Sequence, residues 1–326
     1  MNELRKGSTI SRRKFIHNAA IGSSLALSAS LASPVRSAAQ QKPLRLGGPV
    51  LDKVADPGQW VLALKKLGYS AASFPLTQFY DKKIDDSLIK AYADAAARAD
   101  ITISEVAEFF LTFPDEEERK KSIERWCLCL EVAERIGARC AVSVAGERIP
   151  RSVPGGPSAI NLTSETFDMI VENTRTVIDA VKPKRTYFAY QTMGWFYPNS
   201  PDNFVELFNA VDRERFGAHL DFTNLINSVD RYFNSGEFVR ECFRKFGARI
   251  RSCHAKDVLL HTDQPVRIIE VQPGLGKFDY RSFLREVNRF PEIPIMLEHL
   301  KTEDEFAKAA QYIRSVADEV GVRIRA

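Results

Sequence analysis

The sequence predicts an α/β fold, a single (β/α)₈ TIM barrel preceded by an N-terminal export signal. From Leu44 onward, short apolar runs alternate with longer amphipathic stretches eight times, and eight βα units close a barrel once. No GxGxxG or P-loop motif follows the first strand, which argues against a doubly wound nucleotide-binding sheet. We therefore divide the chain into a signal over 1–39 and a barrel over 40–326.

The first 39 residues have the composition of an export signal. The segment Ser11-Arg12-Arg13-Lys14-Phe15-Ile16 resembles a twin-arginine motif, and small residues near Ala38 offer a cleavage site. The apolar run over 19–32 is shorter than the roughly 20 residues that a membrane span needs. We expect export to the periplasm and no stable membrane span in the mature protein. A basic tail that is retained at the membrane, or that has no fixed structure, is the alternative.

The charge and cysteine content of the sequence limit the classes of partner and of covalent cross-link that we expect. The chain has 46 Lys and Arg against 42 Asp and Glu, and part of this excess lies in the first fourteen residues. The remainder is close to neutral, so no electrostatic argument favours nucleic acid as a partner. Five cysteines without a CxxC motif are typical of small buried side chains rather than of a disulfide framework. The sequence does not indicate an oligomeric state.

The elements follow in order along the barrel. Strands are predicted at 44–47, 69–74, 102–108, 140–145, 186–191, 216–221, 250–256 and 294–299. Helices are predicted near 57–67, 85–99, 115–137, 163–181, 202–210, 235–247, 279–289 and 303–320. Asp56 is placed to cap the first helix and Gly68 to end it. Gly137 and Gly247 are placed to end two others, and Thr163 to cap the fourth.

Polar residues end four consecutive, otherwise apolar strands. Gln191 ends strand five, Asp221 ends strand six, and strands seven and eight supply His254 and Glu298. The C-terminal strand ends of such a barrel form one common mouth, and adjacent strands lie about 4.8 Å apart. One imidazole, two carboxylates and an amide oxygen suit one divalent metal such as Mn²⁺, Mg²⁺, Co²⁺ or Zn²⁺. Taken singly, an Asp at a strand end can be a cap, and a lone His can be a core residue.

Alternation along the strands adds neighbours to this set. His219 shares a strand face with Asp221, and Lys256 shares one with His254. We therefore include His219 among the substrate-binding candidates. Lys256 is a candidate acid or oxyanion partner, and a surface ion pair between Lys256 and Asp257 is the alternative.

Three further mouth residues are candidates for substrate binding. Glu108 ends the predicted third strand, where it can bind a sugar hydroxyl or serve as a helix cap or salt-bridge partner. Trp195 follows strand five, and aromatic faces pack well against sugar C–H surfaces, although such residues also close barrel tops as core. Glu270 precedes a Gly-rich turn and can orient Lys256 or the substrate.

Four segments resemble motifs of the xylose-isomerase-like barrel superfamily. They are Phe216–Leu225 on strand six, Ser252–Asp257 on strand seven, the P-G-x-G-x-x-D-Y pattern within 272–280, and Leu297-Glu298-His299. The resemblance covers nearly all of the mature chain and is strongest over about 185–300. It implies a divalent metal bound by Asp221, His254 and Glu298. The family includes ketose 3-epimerases, hydroxypyruvate isomerase, inosose and dehydroshikimate dehydratases, and a DNA-repair endonuclease branch.

The chain departs from the epimerases of that family at three positions. Gln191 stands where they have a glutamate, and an amide cannot accept the proton that a second base must take. Gln191 therefore either ligates the metal through its oxygen or only fills the place of a ligand. Asn224 and Leu260 stand where the epimerases have a substrate-binding His and an Arg. We keep Asn224 as a substrate-binding candidate.

The expected reaction is proton abstraction next to a carbonyl of a sugar or keto-sugar, as in isomerases and epimerases. The metal is expected to polarise the carbonyl, Glu298 to act as the base and Lys256 to assist. A keto-sugar lyase or dehydratase on the same scaffold is an alternative, because elimination needs one strong base and an acid. A carbohydrate-binding barrel without catalysis is a second alternative. The endonuclease branch needs additional His and Glu ligands, whereas this chain has five His.

Overall fold

The structure is a computed structural model that describes residues 42–52, 54, 56–76, 85–109, 113–148 and 156–325. The proposed export signal over 1–39 lies outside the described residues and stays a prediction. Among the described helices, none combines the length and the apolar character that crossing a bilayer requires. The cysteines predicted to be unpaired all lie in described segments, and none of them forms a disulfide.

Eight parallel strands form a closed barrel, as the sequence predicts. Their order around the barrel is β1-β10-β7-β6-β5-β4-β3-β2, and β8 and β9 form a separate two-stranded sheet. The strands are β1 (Leu46–Gly48), β2 (Ala71–Phe74), β3 (Thr102–Ala107), β4 (Cys140–Ser143), β5 (Phe188–Gln191), β6 (Phe216–Asp221), β7 (Ile250–Ala255), β8 (Asp257–Leu260), β9 (Ile268–Val271) and β10 (Ile295–Leu297).

Helices connect the strands, and most of them begin and end where the sequence predicts. The Asp56 side chain caps α1 by accepting from the Gln59 amide, and Gly137 ends α3 with a left-handed φ of 78°. Gly247 instead keeps right-handed angles and starts a 3₁₀ turn. The helices are α1 (Pro57–Lys66), α2 (Asp86–Arg98), α3 (Glu116–Ile136), α4 (Ser164–Val181), α5 (Pro201–Val211), α6 (Val229–Phe233), α7 (Ser235–Phe246), α8 (Tyr280–Asn288) and α9 (Glu303–Glu319).

Two elements were not predicted from the sequence. The short helix α6 precedes α7, and the antiparallel hairpin β8–β9 is inserted between β7 and α8. The predicted seventh strand ran to residue 256, but β7 ends at Ala255 and Lys256 lies between β7 and β8. The hairpin was missed because β9 is largely exposed and lacks a regular alternation of apolar and polar residues.

The apolar core lies mainly between the barrel and its helices. Inside the barrel, a smaller apolar cluster of Cys140, Val142 and Ala189 is packed against Tyr187. Buried polar side chains, among them Glu105, His219 and Ser252, share the interior with this cluster. The layer outside the barrel is thus apolar, whereas the interior contains both apolar and polar side chains.

Candidate metal centre at the mouth of the barrel

The register of neighbouring strands brings the predicted ligands to one level of the barrel. Asp221 is the last residue of β6 and pairs in register with His254 on β7. His254 in turn pairs with Met296 on β10, so Glu298 follows directly after the end of that strand. Gln191, the last residue of β5, lies beside the same group, because its Nε2 donates to Asp221 Oδ2 at 3.3 Å.

The donor atoms have the spacing that a metal requires. His254 Nδ1 lies 3.4 Å from Asp221 Oδ2 and 3.0 Å from Glu298 Oε2. Two ligands held about 2.1 Å from one ion, at angles of about 90° to 110°, lie about 3.0 to 3.4 Å apart. The chemistry of this set, with carboxylate oxygens and an imidazole nitrogen, therefore fits a small divalent cation.

The hydrogen bonding of these atoms supports the same conclusion. Gln191 Oε1 is buried and has no hydrogen-bond partner among the described residues, whereas His254 Nδ1 and Glu298 Oε2 lie 3.0 Å from each other. Buried polar atoms without partners are costly and call for an explanation such as a bound ion. Gln191 can offer its amide oxygen as a fourth ligand, since its nitrogen is the atom that faces Asp221.

The ammonium group of Lys256 lies among the same carboxylates. Its Nζ is 2.8 Å from Asp221 Oδ2, 2.7 Å from Glu298 Oε2 and 3.3 Å from Glu270 Oε2. Only 2% of the Lys256 surface is exposed. The interpretation of Lys256 as a surface partner of Asp257 is therefore wrong. Because the strand alternation directs Lys256 into the barrel, it meets the mouth carboxylates instead.

The electrostatics of this group favour bound positive charge. Burial opposes the ionisation of Asp221, but Lys256 and His254 lower the pKa of its carboxyl well below the usual range. Burial also opposes the ionisation of Glu298, and His254 and Lys256 together lower its pKa. Burial acts against a charged His254, yet Glu298 and Asp221 raise its pKa well above that of an ordinary imidazole. Both carboxylates are thus ionised at neutral pH.

The hairpin that follows β7 is fixed by the neighbouring aspartate. The carboxylate of Asp257 accepts four backbone N–H groups at 2.8 to 3.1 Å, those of Val258, Gly274, Gly276 and Phe278. Gly276 is required here, because a Cβ would lie 2.3 Å from Asp257 Oδ1. The hydroxyl of Tyr280 donates to the carbonyl of Lys256 at 2.9 Å. The Gly-rich motif thereby fixes the backbone that carries Lys256.

A second polar group lies deeper in the barrel. Glu105 on β3 is buried, with Oε1 3.7 Å from His254 Nε2 and Oε2 3.5 Å from His219 Nδ1. His219 Nδ1 also shares a hydrogen bond with Ser252 Oγ at 2.5 Å. Burial and the charge of His254 lower the pKa of His219 to about 3, so its imidazole is neutral. Glu105 is placed to orient His254, with Nδ1 of that ring facing the ligand group.

Two predicted substrate-binding residues lie away from the mouth. His219 does share a face with Asp221, but it lies one layer deeper, fully buried beneath His254. Glu108 follows β3 and forms an ion pair with Arg125 of α3 at 2.8 Å, which is the salt-bridge alternative. Because Glu105 points inward and side chains alternate, residue 108 faces the helices. We therefore leave His219 and Glu108 out of the substrate site.

The other three substrate-binding candidates line one cavity of about 560 Å³ at the mouth. Trp195 contributes an exposed ring, Asn224 follows β6, and Glu270 extends from β9 of the hairpin. Glu270 lines the cavity and also contacts Lys256, which lies among the candidate metal ligands. The apolar hairpin residues Val266 and Ile269 form part of the same wall. The cavity therefore adjoins the candidate metal centre.

Sequence reasoning missed two polar residues of the site. Glu105 is a charged residue in the middle of an otherwise uncharged strand, and this signal was available in the sequence. His299 has a left-handed φ of 61°, and its Nδ1 lies 3.0 Å from Lys256 Nζ and 3.1 Å from Glu270 Oε1. Strained backbone of this kind concentrates at functional sites. The sequence indicates His299 only as part of a motif, because its contact with the hairpin depends on an unpredicted element.

Comparison with known proteins agrees with this architecture. The family model of the xylose isomerase-like TIM barrel matches residues 61–316. The chain belongs to the xylose isomerase-like TIM barrel family. A search of the curated proteins found no match.

Solved structures of the xylose isomerase-like type share the fold at low identity. One from Mycobacterium smegmatis, in complex with magnesium, is 18% identical with a TM-score of 0.62 and covers 88% of this chain and 99% of its own. D-psicose 3-epimerase with D-tagatose from Clostridium cellulolyticum H10 is 14% identical with a TM-score of 0.62, covering 86% of this chain and 100% of its own. Endonuclease IV from Thermus thermophilus is 14% identical with a TM-score of 0.65, covering 84% of this chain and 99% of its own. At these identities the likeness shows the fold alone.

Proposed function

We propose that this protein is a metal-dependent enzyme that abstracts a proton next to the carbonyl of a sugar or keto-sugar. The proposal rests on three side chains beside the mouth cavity, those of Asp221, His254 and Glu298. Asp221 Oδ2 and Glu298 Oε2 lie 3.4 Å and 3.0 Å from His254 Nδ1. A solved relative is in complex with magnesium and another holds D-tagatose, which supports both the metal and the substrate class.

Asp221, His254 and Glu298 would hold one divalent ion, with Gln191 as a fourth ligand. When bound, Mg²⁺, Mn²⁺, Co²⁺ or Zn²⁺ supplies Lewis-acid polarisation of a substrate carbonyl. Metal binding must displace the protons and the ammonium group that now balance these carboxylates, so the affinity falls as the pH is lowered.

Glu298 is the residue best placed to move a proton. Its side chain is partly exposed while that of Asp221 is fully buried, so Glu298 is the carboxylate that a substrate in the cavity can reach. The lowered pKa of Glu298 keeps its carboxylate ionised at neutral pH. Lys256, held in place through the Tyr280 hydrogen bond, can donate a proton to an oxygen of the substrate. Trp195, Asn224 and Glu270 would bind the sugar.

Gln191 favours a single-base reaction. Its amide can ligate a metal but cannot take the second proton that a two-base epimerase transfers. Glu298 can carry a proton between adjacent carbons, as in an isomerase. Alternatively, it can take one while Lys256 protonates a departing hydroxyl, as in a dehydratase that releases water. Isomerisation and elimination are therefore preferred to two-base epimerisation.

The position of Lys256 supports a second candidate function, a carbohydrate-binding barrel without metal or catalysis. An ammonium group 2.7 to 2.8 Å from Glu298 and Asp221 can substitute for a metal as their counter-ion. In such a protein, sugar would bind in the cavity beside Trp195 without any dependence on metal. The twin-arginine motif adds the proposal that the protein acts in the periplasm after folding in the cytoplasm.

The test combines metal analysis with proton exchange. The purified mature protein is loaded with Mn²⁺, Co²⁺ or Zn²⁺, and metal content is measured by mass spectrometry. We expect about one ion per chain, loss of that ion in Asp221→Ala, and retention in the control Asp318→Ala on the exposed face of α9. Keto-sugars are then screened for deuterium uptake in deuterated water, which Glu298→Gln should abolish. Sugar binding by a protein that takes up no metal would favour the binding barrel instead.

A further inference from the structure

A cavity of about 410 Å³ lies at the opposite end of the barrel, where the strands begin. Its wall includes four basic side chains, Lys42, Arg45, Arg139 and Arg325, and one acidic residue, Glu292. Arg45 precedes β1 and Arg139 precedes β4, so the cationic groups converge from separate parts of the barrel. This surface has no part in the mouth chemistry described above.

The basic residues of this cavity differ in how well they are balanced. Arg45 and Arg325 both pair with Asp100. Arg139 forms no ion pair with any described carboxylate, and its Nε is buried without a hydrogen-bond partner. A buried donor of a charged group that lacks a partner costs more than an exposed one. Arg139 is therefore an unbalanced cation on the wall of a cavity.

A second unbalanced arginine lies close to it. Arg251 lies in β7 at an irregularity of the β6–β7 pairing. Its guanidinium carbon is 3.7 Å from the centre of the Tyr187 ring. Gly217 makes room for it, because a Cβ there would lie 2.7 Å from Arg251 Cγ. Arg251 Nε is also buried without a partner. Burial lowers the pKa of Arg251, and the like charge of Arg139 lowers it further.

Two partly buried guanidinium groups that repel each other, without a carboxylate partner among the described residues, destabilise the fold unless an anion compensates them. The planar fork of arginine matches oxyanions through two parallel hydrogen bonds, which makes it the preferred side chain for such ligands. Lys42 and Arg45 add positive charge on the same wall. The geometry is thus that of a ligand site rather than of a solvated basic surface.

We propose that the cavity at the N-terminal end of the barrel binds a small, multiply charged oxyanion of the phosphate type, with Arg139 as its main ligand. The site is separate from the metal centre and does not depend on the proposed reaction. The oxyanion can be inorganic phosphate or the phosphate group of a small ester. The cavity is large enough for either.

The test is a titration of metal-free protein with inorganic phosphate and, separately, with methyl phosphate. Ionic strength is held constant with sodium chloride so that general screening does not contribute. We expect saturable binding by isothermal calorimetry, weakened at least tenfold in Arg139→Gln. Arg139→Lys keeps the positive charge but cannot form the two parallel hydrogen bonds of a guanidinium group. Its affinity for phosphate should therefore lie between those of the wild type and Arg139→Gln. The matched control is Arg285→Gln, which removes an exposed arginine of α8 outside the cavity. A preference for one of the two probes identifies the source of the oxyanion.

Stability supplies an independent readout. In the absence of phosphate, Arg139→Gln should melt at the same temperature as the wild type or higher, because the substitution removes the repulsion with Arg251. Added phosphate should raise the melting temperature of the wild type but not that of Arg139→Gln. Repeating the titration in Lys256→Met, which removes the buried ammonium group of the mouth, excludes binding at the mouth. The proposal is overturned if neither probe binds the wild type saturably, or if Arg139→Gln and Arg139→Lys bind like it.

Discussion

The two ends of the barrel differ in the sign of the charged groups that they gather and in whether those groups are balanced. At the mouth, Asp221 and Glu298 present buried carboxylates, and Lys256 is their counter-ion. At the opposite end, Arg139 and Arg251 present guanidinium groups with buried N–H donors that lack acceptors in the same part of the chain. We therefore propose a cation site at the mouth and an anion site at the other end. One barrel can hold two such sites, because buried side chains fill the interior between its two ends.

The ends also differ in whether a group of the same chain neutralises their charged side chains. Lys256 already balances the mouth carboxylates from within the chain, at 2.7 to 2.8 Å. No described carboxylate does the same for Arg139 or Arg251. A metal at the mouth must therefore exchange places with an internal cation, whereas an oxyanion at the other end meets no competitor within the described segments. The exchange is possible because the Glu270 carboxylate lies 3.3 Å from Lys256 Nζ and can receive it.

The largest effect is expected when the internal cation is removed. Lys256→Met should lower the free energy of unfolding of the metal-free protein by about 3 kcal/mol, since it leaves buried carboxylates without a partner. The same change should raise metal affinity, because the metal no longer competes with an ammonium group. Chemical denaturation with and without metal measures both quantities. Lys277→Met, at an exposed position, is the control. Unchanged stability together with weaker metal binding would contradict the exchange.

A smaller effect is expected one layer below the ligands. Glu105→Gln removes the charge that faces His254 Nε2 and should weaken metal binding about tenfold to a hundredfold, in the range of other outer-shell substitutions. Equilibrium dialysis against the metal provides the measurement. Glu108→Gln is the matched control, because Glu108 follows the same strand but pairs with Arg125 on the helical side. Equal losses in the two variants would show that Glu105 does not orient the ligand.

The smallest effect is expected at the fourth ligand. Gln191→Glu adds a carboxylate beside Asp221 and should tighten metal binding by about tenfold, or about 1.4 kcal/mol. It also supplies a second proton acceptor. The variant should therefore invert the configuration of the carbon whose proton exchanges in the wild type, as an epimerase does. Dialysis and NMR analysis of the deuterated product measure these changes. The control is Gln311→Glu on the exposed face of α9, which adds the same charge at a position outside the candidate metal centre. If both variants bind metal as the wild type does, residue 191 does not contact the metal.

The sequence predicted those parts of the molecule that depend on local pattern. The eight βα units and the convergence of Asp221, His254 and Glu298 follow from periodicity and from the common direction of parallel strands. Glu108 was misplaced because a residue near the strand end was expected to face the mouth, whereas side chains alternate along β3 and residue 108 faces the helices. The partners of Lys256 depend on contacts with distant residues, which no local pattern encodes.

The attachment of the hairpin has a consequence for how such a protein can change. Asp257 holds the base of the hairpin through four backbone hydrogen bonds, on the side away from the exposed segment 261–267. The tip can therefore be lengthened, shortened or replaced while the base, with Lys256 and Glu270, keeps its position. The hairpin is in this sense an exchangeable wall of the cavity, through which the same framework can be adapted to ligands of different size.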